Sequence, residues 1–178
     1  HVHVTKKDVK ILFGEGYKLT KKSDLSQPGQ YACNEQVTLE GAKGKIERVR
    51  ILGPEREKTQ VEISKTDSFA LGVNPPVRNS GNLDGAAEIT IIGPKGKITK
   101  NVAIIATRHV HATKQDAKKY GFDGKEFVSI VVKGQKPGIL ENVYVRISDK
   151  FSYEVHLDTD DANAFLIKNG DEAELIVK

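Results

Sequence analysis

The run Val102-Ala103-Ile104-Ile105-Ala106-Thr107-Arg108-His109-Val110-His111-Ala112-Thr113-Lys114-Gln115-Asp116 passes from an unbroken apolar strand into two histidines and then into a helix start. In an extended chain alternate residues share a side, so His109 and His111 point one way and Val110 the other. Two neighbouring imidazoles can offer two nitrogens to one metal ion. The chain opens with the same words, His1-Val2-His3-Val4-Thr5-Lys6-Lys7-Asp8. Each His pair is followed by one residue, then Thr, Lys, any residue and Asp. One such pair is common on a surface; two with the same downstream spelling read as metal ligands.

A second repeat lies between them. Val37-Thr38-Leu39-Glu40-Gly41-Ala42-Lys43-Gly44-Lys45-Ile46 is echoed by Ile89-Thr90-Ile91-Ile92-Gly93-Pro94-Lys95-Gly96-Lys97-Ile98. Alternating apolar residues around a Gly- and Lys-rich turn predict hairpins. Further strands are predicted over Glu55–Ser64, Phe127–Val132, Val143–Ile147, Phe151–Leu157 and Ala173–Val177. Short helices are predicted after Thr5, Thr66, Thr113 and Asp160, with Thr5 and Asp8 as a capping pair. Residues 18–31 read as a polar loop. No long helical crossover separates the strands, which predicts a mainly β chain with short helices and two related barrel halves. The first β-barrel domain is expected over residues 4–106. The second is expected over residues 107–178, also receiving residues 1–3. The second His pair has a strand and Arg108 before it; the first has neither. With no initiating Met either, the chain is expected to continue upstream.

The 178 residues suffice for one large or two small domains. Lys and Arg exceed Asp and Glu by four, 28 against 24, with no block of like charge, which fits small anions better than a nucleic-acid surface. Few aromatics (6%) point the same way. No apolar run approaches the roughly 20 residues that span a bilayer, and the first residues do not read as a signal peptide. Cys33 is the single cysteine, so no intrachain disulfide forms and a reducing compartment is expected.

His156, in Tyr153-Glu154-Val155-His156-Leu157-Asp158, is the one histidine outside the pairs. Five imidazoles exceed one tetrahedral site with an open position, so two ions sharing a carboxylate are expected, with Glu62 between Val61 and Ile63 as the bridge candidate. Arg56, behind Gly53-Pro54, offers a guanidinium fork of the kind that binds phosphate. Cys33 defaults to an inert thiol. No phosphate-binding Gly loop and no Gly-x-Ser-x-Gly elbow is present, so metal-assisted chemistry leads.

His1-Val2-His3, Leu25-Ser26-Gln27-Pro28-Gly29-Gln30, Val49-Arg50-Ile51-Leu52-Gly53-Pro54, Thr59-Gln60-Val61-Glu62-Ile63-Ser64, Pro75-Pro76-Val77-Arg78, Arg108-His109-Val110-His111 and Val155-His156-Leu157-Asp158-Thr159-Asp160 together resemble the propanediol-utilisation-type phosphotransacylases, the phosphate propanoyltransferases. The resemblance covers nearly the whole chain. It implies two tandem β-barrel domains capped by short helices, a di-zinc site between them, and acyl transfer between coenzyme A and phosphate by direct phosphate attack. It implies one zinc on Glu62, His109 and His111, taking the coenzyme A thiol, and another on His1, His3 and His156 with water or phosphate. It makes Arg56 and Glu62 the catalytic pair, with Arg56 binding phosphate, and puts Arg50, Leu52, His156 and Asn163 at coenzyme A. The substrates implied are a short-chain acyl-CoA and inorganic phosphate. A homo-oligomer, and shell or lumen enzymes of a bacterial microcompartment, are the implied protein partners. The location is cytoplasmic, with the microcompartment interior for relatives that carry an N-terminal targeting segment. The alternative is a metal-dependent hydrolase of a thioester or ester, since cupins and amidohydrolases also use His-x-His. A structural zinc or nucleic-acid-binding barrel fits less well, because structural zinc sites usually contain Cys.

Overall fold

The computed structural model describes residues 1–177. The chain divides into two compact units, His1–Ala106 and Thr107–Lys178. The first runs through β1 (Val2–His3), α1 (Lys6–Phe13), β2 (Lys21–Asp24), β3 (Tyr31–Glu40), β4 (Lys45–Gly53), β5 (Gln60–Glu62), α2 (Lys65–Leu71), β6 (Val77–Arg78), β7 (Ala87–Ile92) and β8 (Lys97–Ala106). The second continues with β9 (His109–Ala112), α3 (Lys114–Lys119), β10 (Phe127–Val132), β11 (Gly138–Ile147), β12 (Glu154–His156), α4 (Thr159–Phe165) and β13 (Ala173–Ile176). Strand outweighs helix, 41% to 16%, so the chain is mainly β. Among the described residues no helix is long and apolar enough to cross a membrane.

Six strands of the first unit close on themselves. β3 pairs antiparallel with β4, β4 parallel with β1, and β1 antiparallel with β5. β5 then pairs parallel with β8, β8 antiparallel with β7, and β7 antiparallel with β3. β2 and β6 are appended to β3 and β8. Alternation explains the interior: along β3, Cys33, Glu35, Val37 and Leu39 are buried in turn. Val2, Leu39, Ile51, Val61, Ile91 and Ala103, one from each strand of the ring, expose nothing.

The repeated Gly turns have a shared task. The Lys43 amide donates to the Leu71 carbonyl at the end of α2, and the Lys95 amide to the Leu12 carbonyl at the end of α1, both at 3.0 Å. Each turn thus satisfies a carbonyl that a helix end leaves without an intrahelical donor. Buried Asp8 accepts from Lys100 Nζ at 2.7 and 2.6 Å and from the Thr59 hydroxyl, which ties α1 to β8 and to the residue before β5.

In the second unit the sheet order is β12-β9-β11-β10-β13, and it stays open. Two tandem barrel domains are expected from sequence; among the described residues the first is a closed barrel and the second a half-barrel. β9 lies parallel to β11 and antiparallel to β12, as β1 does to β4 and β5. β13 pairs with β10 as β7 pairs with β3. Of the six ring strands, β8, which joins β5 to β7, has no counterpart in this order among the described residues. A cleft of about 650 Å³ opens there, lined by Ile130, Val132, Val155, Leu157 and Leu175 among others.

Other expectations are corrected by pairing. Residues 1–3 belong to the first unit, because fully buried Val2 is held between Ile51 and Val61. Within the predicted loop over 18–31 lies β2, whose side chains are all exposed and so show no apolar alternation. Of Glu55–Ser64 only Gln60–Glu62 is strand, since the Arg56 amide leaves the ladder to reach the Val4 carbonyl at 2.9 Å. α2 is capped by Ser64 rather than Thr66, because the Ser64 hydroxyl meets the Asp67 amide at 3.0 Å. β11 starts at Gly138, well before Val143.

Candidate metal centres

Each unit gathers three ligand-type side chains. His1, His3 and Glu62 form one group, and His109, His111 and His156 the other, with donor atoms within 4.8 Å of one another in each. The two are built alike. Val2 faces Val61 across an antiparallel pair, and Val110 faces Val155. Thr5, two residues after His3, caps α1; Thr113, two after His111, caps α3. Ser64, two after Glu62, caps α2; Asp158, two after His156, caps α4. Glu62 and His156 therefore hold the same position in the repeat. Residues that resemble a ligand set spanning both units are thus grouped within them: Glu62 stands with His1 and His3, and His156 with His109 and His111.

In the first group the His1 and His3 ring centroids are 5.0 Å apart, and His1 Nε2 is 3.3 Å from Glu62 Oε2. In the second the three ring separations are 4.7, 4.9 and 4.6 Å. His109 Nδ1 lies 2.8 Å from the Thr107 carbonyl, which assigns the proton to Nδ1 and the lone pair to Nε2. His111 also stacks on Phe151 at 4.1 Å.

These sets suit a divalent cation. His3 Nδ1 and both ring nitrogens of His111 are buried and meet no hydrogen-bond partner among the described residues. A buried polar atom left unpaired costs stability, and a cation satisfies a neutral imidazole nitrogen. Burial, then the nearby Arg56 cation and His1, push the His3 imidazole down to about 3. Burial, then His109, His156 and Arg146, push His111 down to about 3. Burial alone would raise the Glu62 carboxyl, but the His1 hydrogen bond, the charges of His1 and His3 and the Ser80 hydroxyl outweigh it and hold it at about 2. At neutral pH the His3 and His111 imidazoles are neutral and the Glu62 carboxyl is ionised, as ligation requires.

Of the other candidates, Arg56 lies close enough to His3 to depress it and donates to Ser80 Oγ at 3.3 Å. Arg50, on β4, donates to the Cys33 and Asn34 carbonyls at 2.9 and 3.0 Å. Leu52 is half-buried on the same strand, and Asn163 is exposed on α4. Cys33 is fully buried and its thiol is raised to about 11, first by burial and then by Glu35 and Glu55, which leaves it unreactive.

Two residues escaped the sequence reading. Gln60 Nε2 donates to Glu62 Oε1 at 2.6 Å and to Ser80 Oγ at 2.9 Å, and Ser80 donates to Glu62 Oε1 at 3.2 Å. Gln60 carried a signal, since i and i+2 share a side of a strand. Ser80 carried none, because it reaches Glu62 from a loop 18 residues away.

A closed β-barrel followed by a half-barrel of the same pairing order, each with a His-x-His strand and a third ligand-type side chain two residues before a helix cap, defines a duplicated barrel protein with a candidate metal-ligand cluster in each unit. Comparison with known proteins narrows this. The phosphate propanoyltransferase family profile matches residues 1–168. The phosphate propanoyltransferase of Priestia megaterium is 54% identical over 172 residues, 96% of this chain and 79% of its own length. That of Thermotoga maritima is 51% identical over 173 residues, 96% and 82%. That of Clostridioides difficile is 47% identical over 179 residues, 100% and 86%. The chain belongs to the phosphate propanoyltransferase family.

Proposed function

We propose that this chain is a phosphate acyltransferase, interconverting short-chain acyl-CoA plus phosphate with acyl phosphate plus coenzyme A. The observation that carries the reading is Arg56, a guanidinium beside His3 and joined through Ser80 to Glu62. Such a fork binds two phosphate oxygens at once and sets a cationic group beside a ligand cluster. The names of the relatives support the same substrates.

His1, His3 and Glu62 would hold one zinc ion, and His109, His111 and His156 another. When bound, such ions supply Lewis-acid stabilisation of developing oxyanion or thiolate charge. The chain's own residues do the rest. Arg56 binds and orients phosphate and offsets repulsion between two anionic reactants. A phosphate oxygen attacks the thioester carbonyl carbon, the C–S bond breaks, and its electrons leave on the coenzyme A sulfur. No acyl-enzyme forms, in keeping with Cys33 buried and protonated.

The test is thiol release from propanoyl-CoA with and without phosphate. Release that requires phosphate and yields acyl phosphate supports the reading. Release that proceeds equally with water sinks it in favour of a hydrolase. A stoichiometric burst of coenzyme A without phosphate would instead exclude direct attack. Arg56→Ala should raise the phosphate KM far more than the acyl-CoA KM.

A further inference from the structure

We propose that Ser80 is a positioning residue, whose hydroxyl fixes which oxygen of Glu62 faces the first ligand group and where the Arg56 guanidinium points. The proposal rests on the acyl-transfer reading only for the role of Arg56. Glu62 Oε1 is already engaged, by Gln60 Nε2 at 2.6 Å and Ser80 Oγ at 3.2 Å. Oε2 is the oxygen turned to His1, at 3.3 Å. The carboxylate therefore offers the imidazoles one oxygen, as a monodentate ligand. The amide orientation of Gln60 is set by its other end, where Oε1 accepts from the Gly81 amide at 2.7 Å. Gly81 presents that amide with φ +97°, a conformation open to glycine.

Ser80 Oγ donates to Glu62 and accepts from Gln60 at 2.9 Å and Arg56 Nη1 at 3.3 Å. One donated and two accepted bonds use all that a hydroxyl has. It is the shared atom between the phosphate-binding cation and the metal-ligand anion. Without it the two opposite charges could collapse onto each other, closing both the phosphate fork and the metal-facing oxygen. Hydrogen-bond partners that orient a metal ligand typically govern about 10–100-fold in metal affinity or activity.

The test combines steady-state kinetics with cobalt(II) titration of metal-free protein, read by visible absorption. Ser80→Ala should raise the phosphate KM roughly tenfold, in line with a lost hydrogen bond to a charged group. It should leave the acyl-CoA KM within about twofold, and weaken one of two cobalt sites by about 10–100-fold. Ser80→Thr, which keeps the hydroxyl, should restore both. Gln60→Leu removes the other bond to Glu62 Oε1 and should weaken the same cobalt site. A Ser80→Ala protein that folds as wild type by thermal melting, yet matches it in phosphate KM and cobalt affinity, overturns the proposal. So does a Ser80→Thr protein that behaves like Ser80→Ala. Cobalt binding needs no turnover. A wild type that binds cobalt without phosphate-dependent thiol release would thus overturn the acyl-transfer reading while the Glu62 half is still decided by the titration.

Discussion

Replacing Gly41 or Gly93 by Ala should loosen the first barrel by the same mechanism at two places. A Cβ at Gly41 would stand 2.2 Å from the Leu71 carbonyl oxygen and 2.9 Å from its carbon. One at Gly93 would stand 2.4 Å from the Leu12 oxygen and 2.8 Å from Leu12 Cβ. Ordinary contact begins at 3.4 Å, about an ångström beyond either carbonyl oxygen, so turn and helix end must separate. That breaks the Lys43–Leu71 or Lys95–Leu12 hydrogen bond, each 3.0 Å long. The bond is worth about 1 kcal/mol, and forced overpacking costs about 1–3 kcal/mol. Reduced freedom of the unfolded chain returns about 0.4–1 kcal/mol. The net loss is about 1–3.5 kcal/mol for either variant. A unit of this size should then melt on the order of 10 °C lower. Differential scanning calorimetry with chemical denaturation measures it. Gly121→Ala serves as comparison, since nothing lies within 4 Å of a Cβ there and only its positive φ is strained. Gly41→Ala and Gly93→Ala melting with the wild type would refute the docking of turns on helix ends. Because α1 follows His3 and α2 follows Glu62, the same variants should also weaken cobalt binding at that group.

Glu62→Gln keeps the shape and removes the charge, so elemental analysis of purified protein should show one metal equivalent lost and the other kept; two retained equivalents would contradict its role. Asp8→Ala strips partners from the Thr59 hydroxyl and from Lys100. Since Lys100 is 40% exposed and can turn to water, the loss should sit near the low end for a broken buried pair, about 3 kcal/mol by urea denaturation. The Glu35 carboxyl is opposed by its burial but held below its usual range by Thr20 and Tyr17. A depressed carboxylate adds stability above its unfolded pKa that is lost as pH falls through the folded one. Glu35→Gln should therefore flatten the acid limb of the stability curve, and an unchanged limb would show that the network adds nothing.

Much of this fold lies in local spelling. Thr5 and Thr113 announce helix starts because a cap bonds only three residues ahead, and both do so here. The Gly41–Gly44 and Gly93–Gly96 turns are legible as hairpins, while their second task on the helix ends is not, since it depends on residues far along the chain. The sorting of ligands by unit was equally hidden. Glu62 and His156 differ chemically, which masks that Val61-Glu62-Ile63-Ser64 and Val155-His156-Leu157-Asp158 are one repeated phrase. β2 escaped notice because an appended strand exposed along its length shows no apolar period. Barrel closure is a property of long-range pairing, so the sequence could promise two halves without telling which would close.

The substitution of carboxylate by imidazole at equal positions of the repeat has an electrostatic consequence. One pocket carries a formal negative charge and the other none. A divalent cation would leave a net charge of about one in the first and about two in the second. The all-imidazole pocket is then the stronger pole for anions and the more acidifying toward bound water. With a divalent ion in each pocket, a duplicated frame would thus give two unequal electrophilic poles, and Glu62→His would make them equal.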